Sequence, residues 1–164
     1  MRAVAVLALA VLAPVLWAAE GGEPGERERT ALFYSDLGPD RIDVSAYPAS
    51  QRDNYAVYAR ACSRCHTLAR SINAPLVSRG WWELYVLGMR MRGTRAGQPL
   101  SKEEVKAVLD FLEYDSRVRK IEHAQEFAAE TDELKTRFDA VVAGRMRSLQ
   151  EKNPMPVPTG RHGR

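Results

Sequence analysis

The sequence has little of what several common protein classes require. No stretch alternates apolar and polar residues, so no β-sheet is predicted. Phosphate-binding loops, a Ser-His-Asp set and paired-carboxylate motifs do not stand out, and the acidic residues are scattered over predicted helices. There is no internal repeat. These absences leave an all-α protein with no sign of an enzyme's catalytic residues.

An excess of charge of one sign is also missing. Twenty-four basic and 21 acidic residues give a net charge of +3. This balance is too weak to indicate nucleic-acid binding, and no nucleic-acid partner is expected.

The N-terminus carries the one long apolar run. Arg2 is followed by residues 3–19, which contain no charged side chain and end in small residues. The pattern predicts a signal peptide over residues 1–19, with an uncleaved N-terminal anchor, and so a membrane tether, as the alternative. Either reading places the remaining chain outside the cytoplasm, so the expected location is the periplasm.

The rest of the chain reads as helices separated by breakers. Residues 20–45 predict a linker and an irregular lead-in, and a helix is expected to begin at Ser50. A second helix is predicted over residues 81–92, and a third begins at the capping box formed by Ser101 and Glu104. A long helical extension is predicted over residues 117–152, before a disordered tail at 153–164.

Both cysteines lie in the stretch CSRCH, residues 62–66. On a helix, Cys62, Cys65 and His66 occupy positions i, i+3 and i+4 and share one face. Two thiols that add to vinyl groups and an imidazole that binds iron are the attachment signal of a c-type haem. The motif predicts one haem c, covalently attached through Cys62 and Cys65, with His66 as an iron ligand.

Other uses of this motif fit less well. A disulfide between the two cysteines would close a tiny loop and constrain the unfolded chain little. A thioredoxin-like site would require a surrounding βαβ pattern. Zinc would require a fourth ligand, and His123 and His162 are poor candidates in a charged helix and a tail.

The iron has a second axial position, for which methionine is favoured. Met89 and Met91 are the candidates, because Met146 and Met155 lie in the extension and the tail. Two residues correspond to about 200° of helix rotation, so only one of the two sulfurs can meet the iron. Periodicity leaves both open: Met89 shares a stripe with Trp82, Tyr85 and Val86, and Met91 shares one with Trp81, Leu84 and Gly88.

The segments CSRCH (62–66), WELYVLGM (82–89) and LSKEEVKAVLDFLEYDS (100–116) resemble the monohaem class I c-type cytochrome family. The similarity is greatest to small bacterial periplasmic forms related to the reaction-centre cytochrome c-551. It implies a small helical domain around one haem, assigned to residues 46–116, with Met89 as distal ligand. The additional Met91 departs from the family pattern and remains the alternative.

The expected function is periplasmic one-electron transfer by a His/Met-ligated haem, without catalysis. Two alternatives stay open: a fixed haem subunit of a larger membrane redox complex, and a haem-based sensor with a displaceable methionine. Expected partners are the haem-attachment machinery and redox proteins, either acidic or membrane-bound. Seven arginines and one acid between residues 60 and 95 would favour an acidic partner, and Arg70 is a candidate to meet a haem propionate.

Overall fold

The computed structural model of the protein describes residues 24–154, and all regular structure within them is helical. The α-helices are α1 (Pro24–Thr30), α2 (Ala49–Cys62), α3 (Ala69–Ile72), α4 (Arg79–Arg95), α5 (Lys102–Asp115) and α6 (Ala124–Lys152). A 3-10 helix, Tyr34–Leu37, follows α1, and a π-helical turn, Ser116–Glu122, joins α5 to α6. The predicted all-α class is confirmed. The predicted signal peptide and residues 155–164 of the predicted tail lie outside the described residues.

Local signals set several helix ends. At α5 the Ser101 hydroxyl accepts from the Glu104 amide at 3.1 Å, and the Glu104 carboxylate accepts from the Ser101 amide at 2.9 Å, which confirms the predicted capping box. Helix α2 begins at Ala49, after Pro48, one residue before the expected Ser50. Helix α4 is longer than the predicted 81–92. It stops before Gly97, whose φ of 72° favours glycine.

The main core lies where α2, α4 and α5 meet. The ring of Tyr58 on α2 stacks on Phe111 of α5 with centroids 5.0 Å apart, and Trp82 of α4 is fully buried. We call this set the core cluster; its buried members are Tyr47, Tyr58, Leu68, Ile72, Ala74, Trp82, Val86, Val108, Leu109, Phe111 and Leu112. The cluster closes one side of the segment that carries Cys62.

A buried polar network holds the π-helical turn against this core. Asp115 accepts two bonds from the Arg119 guanidinium, at 2.8 and 2.7 Å, and one from the Tyr47 hydroxyl at 3.0 Å. Lys120 donates to the carbonyl of Ala74 at 2.7 Å. The first residues of the predicted extension therefore pack against the core cluster, because they donate to carbonyls of the loop after α3.

Residues 24–45 contain more structure than the predicted linker and irregular lead-in. Ala31 and Leu37 are buried against Leu134 of α6, and we call these three residues the extension cluster. Arg145 of α6 donates to the carbonyl of Ala31 at 2.7 Å, and it also reaches the carbonyl of Glu28. The sequence did not reveal these contacts, because the residues of α6 that residues 24–45 contact lie about a hundred positions further along the chain.

Among residues 24–154, no helix is both long enough and apolar enough to cross a bilayer.

Candidate cofactor site

The CSRCH stretch lies at the C-terminal end of α2. Cys62 is the last helical residue, and the Ser63 amide donates to the carbonyl of Ala59 at 3.2 Å to close that turn. Residues 63–65 then form a turn that leads to His66. The expectation that Cys62, Cys65 and His66 share one helical face is therefore wrong. Cys62 ends the helix, Cys65 lies in the turn, and His66 follows the turn; the last two are exposed.

The two thiols have different surroundings. Cys62 is partly buried, and burial raises the pKa of its thiol to about 11, so it is protonated at neutral pH. Cys65 is exposed, and its Sγ lies 3.9 Å from Oε1 of Gln98. Both are free thiols. A thiol-redox site depends on a readily formed thiolate, so the raised pKa of Cys62 disfavours that alternative.

The ring of His66 is oriented by its neighbour in the chain. Its Nδ1 lies 2.7 Å from the carbonyl oxygen of Thr67. Because a carbonyl can only accept, Nδ1 carries the proton in this contact and Nε2 keeps its lone pair. The carbonyl belongs to the next residue in the chain, so no separate loop is needed to orient the ring.

A cavity of about 650 Å³ lies beside Cys65 and His66. Its size falls within the range of small-molecule and cofactor pockets. Basic side chains contribute strongly to its wall; the lining residues are Asp40, Arg41, Ala59, Arg60, Ser63, Arg64, Cys65, His66, Thr67 and Leu68.

Helix α4 places its two methionines in different environments. Met89 is partly buried on the stripe that also carries the buried Trp82 and Val86. Met91 is 52% exposed, on the stripe of Trp81 and Leu84. The burial pattern favours Met89 over Met91 for any role that faces the interior.

The Tyr85 hydroxyl was not recognised from sequence. Its oxygen is buried and has no hydrogen-bond partner among the described residues. Burial raises the pKa of this phenol, and Arg70 and Cys62 are among the neighbours that act on it. A buried hydroxyl without a full hydrogen bond is costly, and the Ser71 side chain is the polar neighbour that favours the ionised form of this phenol.

The arginines between residues 60 and 95 divide into two groups. Arg70 forms a two-bond ion pair with Asp36, at 2.7 and 2.9 Å, and lies over the ring of Phe33. It is engaged there, which argues against the suggested contact with a propionate. Arg64 and Arg79 are also ion-paired, whereas Arg60, Arg90, Arg92 and Arg95 form no ion pair with any residue from 24 to 154.

Two other sequence candidates are accounted for. Trp82 is buried and donates through Nε1 to the Ser116 hydroxyl at 3.0 Å, while Trp81 is 60% exposed. His123 precedes α6, and its Nδ1 lies 3.8 Å from Oε1 of Glu126. His162 and Met155 lie outside the described residues. Across residues 24–154, no three His, Cys, Asp or Glu side chains converge on one point.

The residues present fit a covalently bound haem. Two free thiols, an imidazole with Nε2 available and a partly buried thioether are the donor types that such a group requires. Of these residues, Cys65 and His66 line the cavity, whereas Cys62 and Met89 do not. No protein-family model, curated protein or solved structure matches the chain.

Proposed function

We propose that the protein is a monohaem c-type cytochrome that carries one electron at a time outside the cytoplasm. When bound, the haem supplies an iron that alternates between the ferrous and ferric states. Cys62 and Cys65 attach the group, and His66 and Met89 hold the iron. The proposed domain is a small cytochrome c-like unit in which α2 and α5 pack together beside the attachment turn.

The orientation of His66 is the observation that carries the proposal. The hydrogen bond from Nδ1 to the Thr67 carbonyl fixes the tautomer and leaves Nε2 as the only ring nitrogen able to bind iron. Iron-ligating histidines are typically held by this kind of contact, which also raises the basicity of the ligating nitrogen. His66 follows Cys65 directly in the chain, which is the position that the c-type attachment motif gives to the iron-binding histidine.

The position of Met89 supports a carrier over the other classes. With His66 and Met89 both bound, the iron has no open position for a substrate or a gas. A thioether ligand also raises the reduction potential relative to a second histidine. These arguments favour electron transfer over catalysis and over the sensor alternative.

The decisive test is an absorption spectrum of the exported protein, recorded with and without reductant and with carbon monoxide. We expect the sharp reduced bands of a six-coordinate c-type haem, unchanged by carbon monoxide. Denatured, acid-extracted protein should retain its colour and exceed the mass of the bare chain. Colourless protein of bare chain mass would overturn the proposal.

The two methionines provide a matched pair for the ligand assignment. Met89→Leu should abolish the six-coordinate spectrum, lower the reduction potential and allow carbon monoxide to bind. Met91→Leu, which changes a mostly exposed side chain on the opposite stripe, should leave all three unchanged. The reverse result would assign the iron to Met91 while leaving the haem itself in place.

A fixed haem subunit is the second candidate, and one surface favours it. Val142, Met146 and Leu149 form an exposed apolar stripe along the C-terminal half of α6. A stripe of this kind usually packs against something. Co-purification of the tagged protein with membrane redox subunits, lost on Met146→Ser with Leu149→Ser, would support this candidate. Recovery of the protein alone would support the free carrier.

A further inference from the structure

Helix α4 is apolar on the side that faces away from the core. Trp81, Leu84, Leu87 and Met91 are spaced three or four residues apart, so they lie on one side of the helix. They are between 50% and 61% exposed. We call these four residues the α4 outer face. A helix that is apolar on both sides is normally covered on both, so the α4 outer face lacks its partner.

Arginines border this face. Arg95 follows Met91 by one helical turn. The Arg92 guanidinium lies close to Gly88, 3.4 Å from the position that a Cβ would take there, so this side chain extends back along the face. Together with Arg90, these residues form no ion pair with residues 24–154. The one acid of α4, Glu83, is paired with Arg79 at 3.2 Å. The face thus combines exposed apolar side chains with uncompensated positive charge.

We propose that the α4 outer face binds the surface of a membrane that contains anionic lipid. Interfacial helices have this composition, with aromatic and aliphatic side chains in the acyl boundary and arginines at the phosphates. Tryptophan is enriched at that boundary. Protein interfaces generally pair donors with acceptors. The arginines that border the α4 outer face offer only hydrogen-bond donors. Phosphate oxygens, which only accept, match them better than a protein surface that mixes donors and acceptors.

This inference goes beyond electron transfer, and it rests on the proposed function only in assigning Met89, and not Met91, to the iron. Trp82 is buried and Met89 is partly buried on the opposite side of α4, so cofactor and lipid would contact different sides of one helix. Binding through this face would hold the protein on the bilayer surface whether or not residues 1–19 are cleaved.

Side-chain labelling of the exported protein provides a test with an internal control. Met91 is 52% exposed and Met146, on α6, is 53% exposed, so the two should label equally in solution. The protein is labelled with hydroxyl radicals in the presence of vesicles, and the labelled residues are measured by mass spectrometry. One sample contains vesicles of phosphatidylcholine alone, and the other contains vesicles to which phosphatidylglycerol has been added. We expect phosphatidylglycerol vesicles to reduce labelling of Met91 at least threefold and to leave Met146 unchanged.

Variants then separate the apolar and charged contributions. Leu84→Ser with Met91→Ser should lower vesicle partitioning at least tenfold, while the matched change Met146→Ser with Leu149→Ser should not. Arg92→Gln with Arg95→Gln should lower it by about fivefold per arginine at low salt, and added salt should remove that difference. All three variants alter exposed residues, and circular dichroism confirms their folding.

Three results would overturn the proposal. The first is equal labelling of Met91 with and without anionic vesicles. The second is equal protection of Met91 and Met146, which would indicate non-specific adsorption. The third is protection of Met91 by soluble polyglutamate but not by vesicles, which would assign the face to an acidic protein partner.

Discussion

The core cluster and the extension cluster are built in different ways. Eleven buried residues between Tyr47 and Leu112 form the first, with stacked aromatic rings at its centre. Three buried residues form the second, and arginine side chains of α6 there donate to backbone carbonyls. Apolar burial scales with the area removed from water, whereas each hydrogen bond contributes only about 1 kcal/mol net. The core cluster should therefore determine global stability, and the extension should open locally.

Phe111→Ala should have the largest effect, because it removes the ring that contacts both Tyr55 and Tyr58. We expect a loss of about 3–5 kcal/mol in the free energy of unfolding, measured by urea denaturation. Leu134→Ala, in the extension cluster, is the comparison and should cost less than half as much globally. Equal losses at both sites would show that the two clusters unfold as one unit.

Asp115→Ala should follow in size. The change leaves the Arg119 guanidinium without its carboxylate and the Tyr47 hydroxyl without its acceptor. Because Arg119 keeps one bond to the Ile72 carbonyl and some solvent contact, we expect a loss of about 3 kcal/mol, at the lower end for a broken buried pair. The π-helical turn joins the clusters, so this loss should also increase hydrogen exchange along α6. Protection of α6 that stays unchanged would show that the network does not couple the two regions.

The same difference explains what could be predicted from sequence. The capping box at Ser101 follows from a local pattern and was confirmed, and the buried Val108, Leu109 and Leu112 of α5 stand at helical spacing. The bond of Tyr47 to Asp115 joins residues 68 positions apart, and the contact of Ala31 with Leu134 spans still more. No local pattern records such pairs, so the sequence did not show which later residues the irregular lead-in would contact.

At the candidate site, residue types were readable but their arrangement was not. The thiols, the imidazole and the methionine pair follow from sequence. The end of α2 at Cys62 and the Thr67 carbonyl depend on backbone geometry. Periodicity did not show which side of α4 is buried. In the structure the buried side carries Trp82 and Val86, and Met91 lies on the exposed side. Tyr85 was assigned to a stripe, but its unpartnered hydroxyl becomes visible only once the core is assembled.

Lys120 should make stability depend on pH. Burial lowers the pKa of its ammonium from the ordinary 10.5 to about 7; Asp115 opposes this shift and Arg119 adds to it. Between these pH values the unfolded chain binds more protons than the folded one, so the free energy of unfolding should rise with pH. The slope is at most about 1.4 kcal/mol per pH unit.

Urea unfolding between pH 7 and 9.5 tests this dependence, with Lys120→Met as the comparison. The variant should lose the positive slope and be more stable than the wild type at pH 7. An unchanged slope in the variant would show that another group titrates. Burial raises the pKa values of Cys62, Tyr47 and Tyr58, so their ionisation in the unfolded chain opposes the positive slope toward pH 9.5. This contribution is common to both proteins, and the difference between their slopes reports Lys120.

Arg145→Met should have the smallest global effect and the most local one. The change removes the bonds to the carbonyls of Glu28 and Ala31 that fasten α1 to α6. Because the core cluster does not involve these contacts, the global free energy of unfolding should change by less than about 0.5 kcal/mol. Amide exchange in α1 should nevertheless accelerate at least fivefold, while exchange in α2 and α5 stays the same. Faster exchange in α5 would mean that the extension supports the core cluster, contrary to the contrast between the two clusters.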